Sequence, residues 1–203
     1  LNGSAPATNS QLYTKPFYID KTAHLLAGVF DNDTLYGETT EQQFIVHKAT
    51  GKTVELTYPN SPQYTGGGSL ALVDGIFGNI RSYACWQGFL KNDLEAEVDL
   101  EKTIPIHTIS VRFLEHTGPY IFLPTRIEFA VSRDNKSYKQ VASFTLEKPS
   151  HNRPPNIKEL SSKFDTLNVR YIQIKAKNIG VCPEWHIGVG EPAWLFVDEI
   201  IVY

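Results

Sequence analysis

The chain has 203 residues, a formal net charge of −3 at pH 7, and 41% hydrophobic and 12% aromatic residues. These values support a folded core of one moderate domain, or one domain with an appendage, and exclude a disordered chain. The negative net charge is not that of a typical nucleic-acid-binding protein, which carries an excess of Lys and Arg. No apolar run reaches the roughly 18 residues that a membrane-spanning helix needs.

The ends and the cysteines of the chain add two expectations. The chain begins with LNGSAPATNS and contains no methionine, even at position 1, which predicts a piece excised from a longer protein. Two cysteines, Cys85 and Cys182, are too few for a disulfide scaffold or a zinc site. They could form one disulfide or remain two free thiols.

The first part of the chain, residues 1–57, predicts short strands. Two of them, Tyr13–Ile19 and Leu25–Phe30, flank a tight turn, and a second hairpin is expected to pair Gln42–His47 with Thr53–Tyr58. A stretch rich in Pro, Asn and Gly follows and separates this β region from residues 58–203.

Residues 58–203 show a period of two, which is typical of strands with one buried face. Apolar residues alternate with polar ones in four runs, and a fifth run is apolar at both parities, as in a strand covered on both sides: Leu94–Leu100, Ile109–Phe113, Ile127–Val131, Ile172–Ala176 and Trp194–Tyr203. The weak helical candidate Asn156–Phe164 is predicted as a loop or a single turn. Short strands with long loops indicate an antiparallel β-sandwich.

Two segments combine an acidic residue with a loop rich in Trp, Gly and His. They are LVDGIFGNIRSYACWQGF, residues 72–89, and PEWHIGVGEPAWLFVDEIIVY, residues 183–203. Their carboxylates, Asp74 and Glu199, could hold a hard cation, and their aromatic residues could form a sugar platform. The two segments can meet only in a fold whose last strand lies beside its first.

The span from about residue 64 to residue 203 resembles the discoidin-like domain, also called the coagulation factor five/eight type C domain, in its family 32 carbohydrate-binding version. The residues that carry the resemblance are ALVDG at 71–75, WQGF at 86–89, VDL at 98–100, FAVSRD at 129–134, RYI at 170–172 and VDEI at 197–200. WHIGVGEPAWLFVDEI at 185–200 resembles the version at the C-terminus of bacterial β-N-acetylhexosaminidases, the chitobiase-like enzymes. The resemblance implies an all-β, galactose-binding-domain-like jelly-roll sandwich with a small N-terminal β appendage.

The N-terminus resembles a second element. NGSAPATNSQLY, residues 2–13, resembles the second half of the motif of a fibronectin-III-associated repeat, with Asn2 where Asp is usual. Such repeats precede these modules, so the resemblance implies an upstream catalytic domain in an exported bacterial glycoside hydrolase. The expected location is extracellular, cell-surface or periplasmic.

The resemblance also implies a structural calcium ion. Asp74 and Glu199 occupy the family's carboxylate positions, and the loop residues Gly78 and Asn79 are further candidate ligands. The loop is longer here than usual, because residues 76–85 intervene between the Asp-Gly pair and the tryptophan. The alternative is that Asp74 only caps a turn with Gly75.

A glycan containing galactose, GalNAc or GlcNAc is the implied ligand, since sugar sites combine aromatic faces with polar groups. The candidate residues lie in or beside loops: Trp86, Gln87, His116, Tyr120, Phe122, Arg126, Trp185 and His186. Each has a structural alternative: Trp86, for example, could fill the core, and Trp185 and His186 could pack a loop.

Catalysis in this chain is not expected. A glycosidase needs two carboxyl groups that flank one bond, whereas Asp198 and Glu199 are adjacent on a predicted strand and point to opposite faces. No nucleophile elbow, zinc-binding helix or phosphate loop is present. The chain is therefore predicted to be a non-catalytic carbohydrate-binding module. The alternative is an architectural or protein-interaction domain of the same enzyme.

Overall fold

A computed structural model describes residues 4–203 and builds them almost entirely from strands and loops. The strands are β1 (Ala23–Asp31), β2 (Thr34–Phe44), β3 (Thr53–Leu56), β4 (Gln87–Leu90), β5 (Leu94–Glu115), β6 (Arg126–Ser132), β7 (Lys139–Thr145), β8 (Asn156–Lys177) and β9 (Trp194–Val202). Within residues 4–203 there is no helix long and apolar enough to cross a membrane.

The sandwich is built around two long strands, β5 and β8, which pair antiparallel along both of their halves. The first half of β5 and the last half of β8 join β3, β6 and β7 in the order β3-β5-β8-β6-β7. The other halves join β4 and β9 in the order β4-β9-β5-β8. Register shifts between residues 99 and 108 of β5 mark the change from one sheet to the other. The predicted all-β sandwich is confirmed.

The core lies between the two sheets and follows the sequence pattern. In β5, apolar Leu94, Ala96, Val98 and Leu100 are buried and alternate with half-exposed acidic residues. Every residue from Leu195 to Val202 in β9 is buried, as predicted for a strand covered on both sides. Cys85 and Cys182 are free thiols.

The N-terminal appendage is the hairpin β1–β2, a separate two-stranded sheet. Its turn uses Asn32 and Asp33, both at positive φ, a conformation that Asn and Asp tolerate better than most residues. The predicted strand Tyr13–Ile19 is wrong, since that segment has no strand partner. Asn2 and Gly3, at the start of the repeat-like motif, lie outside the described residues.

Two further expectations are corrected by strand pairing. β3 pairs with β5 of the sandwich, so the predicted hairpin between residues 42–47 and 53–58 is wrong, and this part of residues 1–57 packs on the larger sheet. Residues 156–164, predicted as a loop or turn, begin β8 opposite Thr108–Glu115. The long partner strand supplies hydrogen bonds that the local sequence pattern does not reveal.

Candidate functional site

A cavity of about 400 Å³ opens where β5 ends and β8 begins. Its lining comes from the turn after β5 and from the loop before β8: His116, Gly118, Asn152, Arg153, Pro154 and Pro155. The turn is closed by two backbone hydrogen bonds between His116 and Ile121, 3.0 and 3.1 Å long. The lining combines polar side chains with two proline rings.

Thr117 joins the turn to the loop. Its hydroxyl is buried, accepts a hydrogen bond from the backbone N–H of Arg153 at 3.1 Å, and donates to the side-chain carbonyl of Asn152. These bonds fix Asn152 and Arg153 at the mouth of the cavity.

A third loop, residues 182–190, packs against the same two segments. The His186 ring accepts the Gly188 N–H at Nδ1 (3.0 Å), so Nε2 carries the proton and donates to the Thr117 carbonyl at 2.7 Å. The Trp185 indole N–H donates to the Pro149 carbonyl at 2.6 Å. The cavity is therefore held by three loops that are hydrogen-bonded to one another.

Several polar groups at the cavity make no hydrogen bond to any residue in 4–203. His116 uses Nδ1 for a 2.7 Å bond with the Tyr83 hydroxyl, which leaves Nε2 unpaired. The side-chain nitrogen of Asn152 and the guanidinium of Arg153 make no hydrogen bond to a described residue. These groups can bind the oxygens of a ligand.

Glu115 lies behind the cavity and offsets the charge of Arg153. Its Oε1 is buried without a hydrogen bond and lies 3.6 Å from Nη1 of Arg153. Burial raises the pKa of this carboxyl, and the positive charge of Arg153 opposes that shift. The Arg153 side chain is 39% exposed and lines the cavity, so its guanidinium remains accessible there.

Four of the predicted sugar residues are buried, so they cannot form a surface platform: Trp86, Gln87, Phe122 and His186. Trp86 packs against Leu114, Ile121 and Phe196. Gln87 donates to the Gly68 carbonyl at 3.0 Å, and Phe122 belongs to a small cluster beneath the loop 182–190. Each of these four side chains is packed inside the fold.

The other four predicted residues separate into three places. His116 lines the cavity, and Tyr120 and Trp185 are half-buried, each in ring contact with His186. Arg126 is remote from this lining. It pairs with Glu128 at 2.5 Å and borders a different cavity, of about 320 Å³, on β6.

Sequence reasoning missed Asn152 and Arg153. Both lie in KPSHNRPP, residues 148–155, a polar segment whose composition predicts only a turn. The one available signal was the Pro-Pro pair, which holds the chain extended and leaves the side chains before it in a loop.

Asp74 and Glu199 come together, although they lie at opposite ends of residues 58–203. Both oxygens of Glu199 accept the Gly75 N–H, at 3.2 and 3.0 Å, and the carboxyl interacts with that of Asp74. Burial, followed by the charge of Asp74, raises the pKa of Glu199 to about 9. The first loop is thus tied to β9, as the two segments predicted.

His47 supplies a second donor to Glu199. Its Nδ1 accepts the Ala49 N–H at 3.2 Å, so Nε2 carries the proton and donates to Oε1 of Glu199 at 2.9 Å. Burial lowers the pKa of His47 to about 4, so the ring is neutral at pH 7. Both lone pairs of this oxygen are therefore directed at N–H donors.

The remaining predicted metal ligands are engaged elsewhere. Gly78 donates its N–H to Asp198 at 2.7 Å, and its carbonyl faces the Arg112 guanidinium at 3.4 Å. The Asn79 carbonyl accepts the Trp86 indole N–H at 3.1 Å, and its side-chain oxygen accepts two N–H groups of its own turn.

This donor set does not fit a calcium ion, which requires six to eight oxygens with free lone pairs. Glu199, Gly78 and Asn79 present oxygens that already face N–H groups, and a cation is repelled by the hydrogens directed at the same oxygens. Within residues 4–203 no group of three or more His, Cys, Asp or Glu side chains is arranged to hold a metal ion.

Comparison with known proteins supports the fold. No family model and no curated protein sequence matches the chain. A chitosan-binding module of a chitosanase/glucanase from Paenibacillus sp. IK-5 is similar over 78% of this chain and 98% of the module, with 13% identity and a TM-score of 0.50.

Two other solved structures have slightly higher sequence identity but lower TM-scores. A carbohydrate-binding module of Clostridium perfringens, in complex with GalNAc-β-1,3-galactose, has 16% identity and a TM-score of 0.46, over 74% of this chain and 93% of that module. The lectin domain of lectinolysin has 16% identity and a TM-score of 0.47, over 77% and 94%. At these identities the likeness concerns the fold, and the fold assignment rests on the Paenibacillus module.

Proposed function

We propose that the chain is a non-catalytic carbohydrate-binding module and that the cavity beside His116 and Arg153 holds the sugar. One observation carries the proposal: polar groups that have hydrogen-bonding capacity to spare and proline rings surround the same cavity. A sugar offers hydroxyl oxygens to the polar groups and C–H faces to the rings. Galactose, GalNAc and GlcNAc units all have this chemistry.

The charge of the lining favours neutral sugars. Arg153 and His116 are basic, and no Asp or Glu stands among the lining residues. A protonated amino sugar would meet the guanidinium of Arg153, whereas Glu115, the carboxyl that pairs with Arg153, lies behind the cavity and does not line it. We therefore expect chitosan, the ligand that describes the similar Paenibacillus module, to bind this chain more weakly than N-acetylated or galactose-containing glycans.

Replacing Arg153 by alanine should abolish measurable sugar binding, because the variant loses the principal donor at the cavity. A shallow site of this kind is expected to bind a monosaccharide with a Kd of roughly 0.1–5 mM. A glycan array identifies the ligand, and calorimetry then compares the variants. Arg126→Ala, at the separate cavity on β6, is the matched control. Equal losses in the two variants, or unchanged binding by Arg153→Ala, would place the sugar elsewhere.

The context of the module is a further part of the proposal. The sequence resemblance supports a parent enzyme of the β-N-acetylhexosaminidase type, exported by a bacterium, in which tethering multiplies a weak contact through effective concentration. Asp198 and Glu199, the adjacent acids of β9, are buried and bonded internally, which supports a non-catalytic chain. Hydrolysis of chromogenic N-acetylglucosaminides by the purified chain would contradict this.

An architectural or protein-interaction role is the second candidate, and the loop 182–190 favours it. Ile187 is 93% exposed and Val189 56% exposed, beside a partly exposed Val181. Apolar side chains that project together from a loop are suited to contact with another protein surface. A negative glycan array combined with an intact fold would support this role.

A further inference from the structure

The first loop and the last strand are also joined by a buried cation that belongs to the chain. The Arg112 side chain on β5 is 9% exposed, and its Nη1 lies 2.5 Å from Oδ2 of Asp198 on β9. Nη2 of Arg112 faces the Gly78 carbonyl at 3.4 Å, and the guanidinium carbon, Cζ, lies 4.0 Å from the centre of the Phe77 ring. One guanidinium thus contacts β9, a loop carbonyl and a loop aromatic ring.

The charge of the buried Asp198 carboxylate is compensated by its contact with Arg112. Its Oδ2 also accepts the Gly78 N–H, whereas its Oδ1 is buried without a hydrogen bond to any residue in 4–203. A buried carboxylate needs a partner charge, because desolvation penalises the ionised form. Among the positions that contact Asp198, Arg112 supplies that charge.

Glu199, the next residue on β9, is satisfied in a different way. His47 and Gly75 direct N–H groups at its oxygens, and both donors belong to segments that pack on β9. The Lys48 N–H donates to the Val202 carbonyl at 2.9 Å, and the Ile45 N–H donates to the Gly75 carbonyl at 2.9 Å. The chain therefore surrounds this carboxyl with its own donors.

We infer that this chain closes its first loop onto its last strand without calcium, with the guanidinium of Arg112 as the bridging cation and His47 as the donor that satisfies Glu199. The inference concerns the residues at which the sequence predicted a calcium site. It does not depend on sugar binding at the cavity beside Arg153.

The first experiment measures calcium dependence directly. We expect the melting temperature of the 203-residue chain to be equal, within about 1 °C, in excess calcium and in EDTA, since a ligand that binds only the folded state would raise it. Terbium should give no saturable luminescence sensitised by the buried Trp86 indole. A calcium-dependent rise of several degrees, or saturable binding of one ion, would overturn the inference.

The second experiment tests the bridging cation. Arg112→Met removes the charge at similar volume and should lower the melting temperature by roughly 6–20 °C, because it leaves a buried carboxylate without its partner. Arg170→Met is the matched control. Arg170 pairs with Asp99 at 2.7 Å and stacks on Tyr171, but the two paired side chains are 38% and 29% exposed, so a shift below roughly 4 °C is expected.

The melting-temperature shifts of the two variants decide between the possibilities. A larger shift for Arg112→Met than for Arg170→Met, with calcium still without effect on the wild type, supports the inference. Equal shifts contradict it. If Arg112→Met does not fold, Arg112→Lys is compared with Arg170→Lys: a single ammonium cannot reproduce the contacts of the guanidinium, and a smaller loss at position 112 would likewise overturn the inference.

Discussion

Trp86→Ala is expected to lower the free energy of unfolding by about 3–5 kcal/mol, the cost of removing a large aromatic side chain from a packed core. The residue is completely buried among Leu114, Ile121 and Phe196. Its indole N–H donates to the Asn79 carbonyl, so the substitution also leaves a loop carbonyl without its donor. Urea denaturation followed by circular dichroism measures the effect.

The same variant tests the role of the tryptophan in sugar binding. The folded fraction of Trp86→Ala should bind sugar as the wild type does, because the indole does not reach the surface. Tyr18→Ala, which removes a 99% exposed ring, is the control and should change neither property. A stable Trp86→Ala that lost sugar binding would show that the indole contacts the ligand.

Gly75→Ala is expected to destabilise the chain by about 2–5 kcal/mol through two combined effects. Gly75 has a φ of +74°, which is unfavourable for a residue with a Cβ. A Cβ at this position would also lie 2.4 Å from the Ile45 carbonyl oxygen, a backbone atom that can move only if the chain around residue 45 moves with it. Thermal and urea unfolding measure the loss.

Gly51→Ala separates the two effects. Gly51 has nearly the same φ, +71°, but nothing lies within 4 Å of the added methyl group. Gly51→Ala should therefore lower the free energy of unfolding by only about 1–2 kcal/mol, the part of the penalty that comes from the positive φ. Equal losses at positions 51 and 75 would mean that the added methyl group at position 75 meets no steric penalty from the Ile45 carbonyl.

The strands of the sandwich could be predicted because their burial alternates residue by residue. In Leu94–Leu100 of β5 and in Ile127–Val131 of β6 the buried residues are the ones at the apolar parity. The prediction failed at Asn156–Phe164, where polar residues form a strand because β5 extends far enough to pair with them. It also failed at residues 13–19, whose aromatic residues suggest a strand but remain largely exposed.

The sites were predictable in part. The meeting of Asp74 with Glu199 followed from the resemblance, whereas the donors around them did not, since His47 and Arg112 are distant in sequence and carry no recognisable motif. The burial of two aromatic candidates, Trp86 and Phe122, was not predictable for a related reason. The composition of a loop does not reveal which of its rings another loop will cover, and Trp86 and Phe122 are covered.

The two long strands have a consequence for the slow motions of the sandwich. β5 and β8 each contribute hydrogen bonds to both sheets, so neither sheet can open without disturbing the ladder of the other. Amide hydrogens along β5 and β8 should therefore exchange with deuterium only through global unfolding. Those of the isolated β1–β2 ribbon should exchange much faster, through local opening.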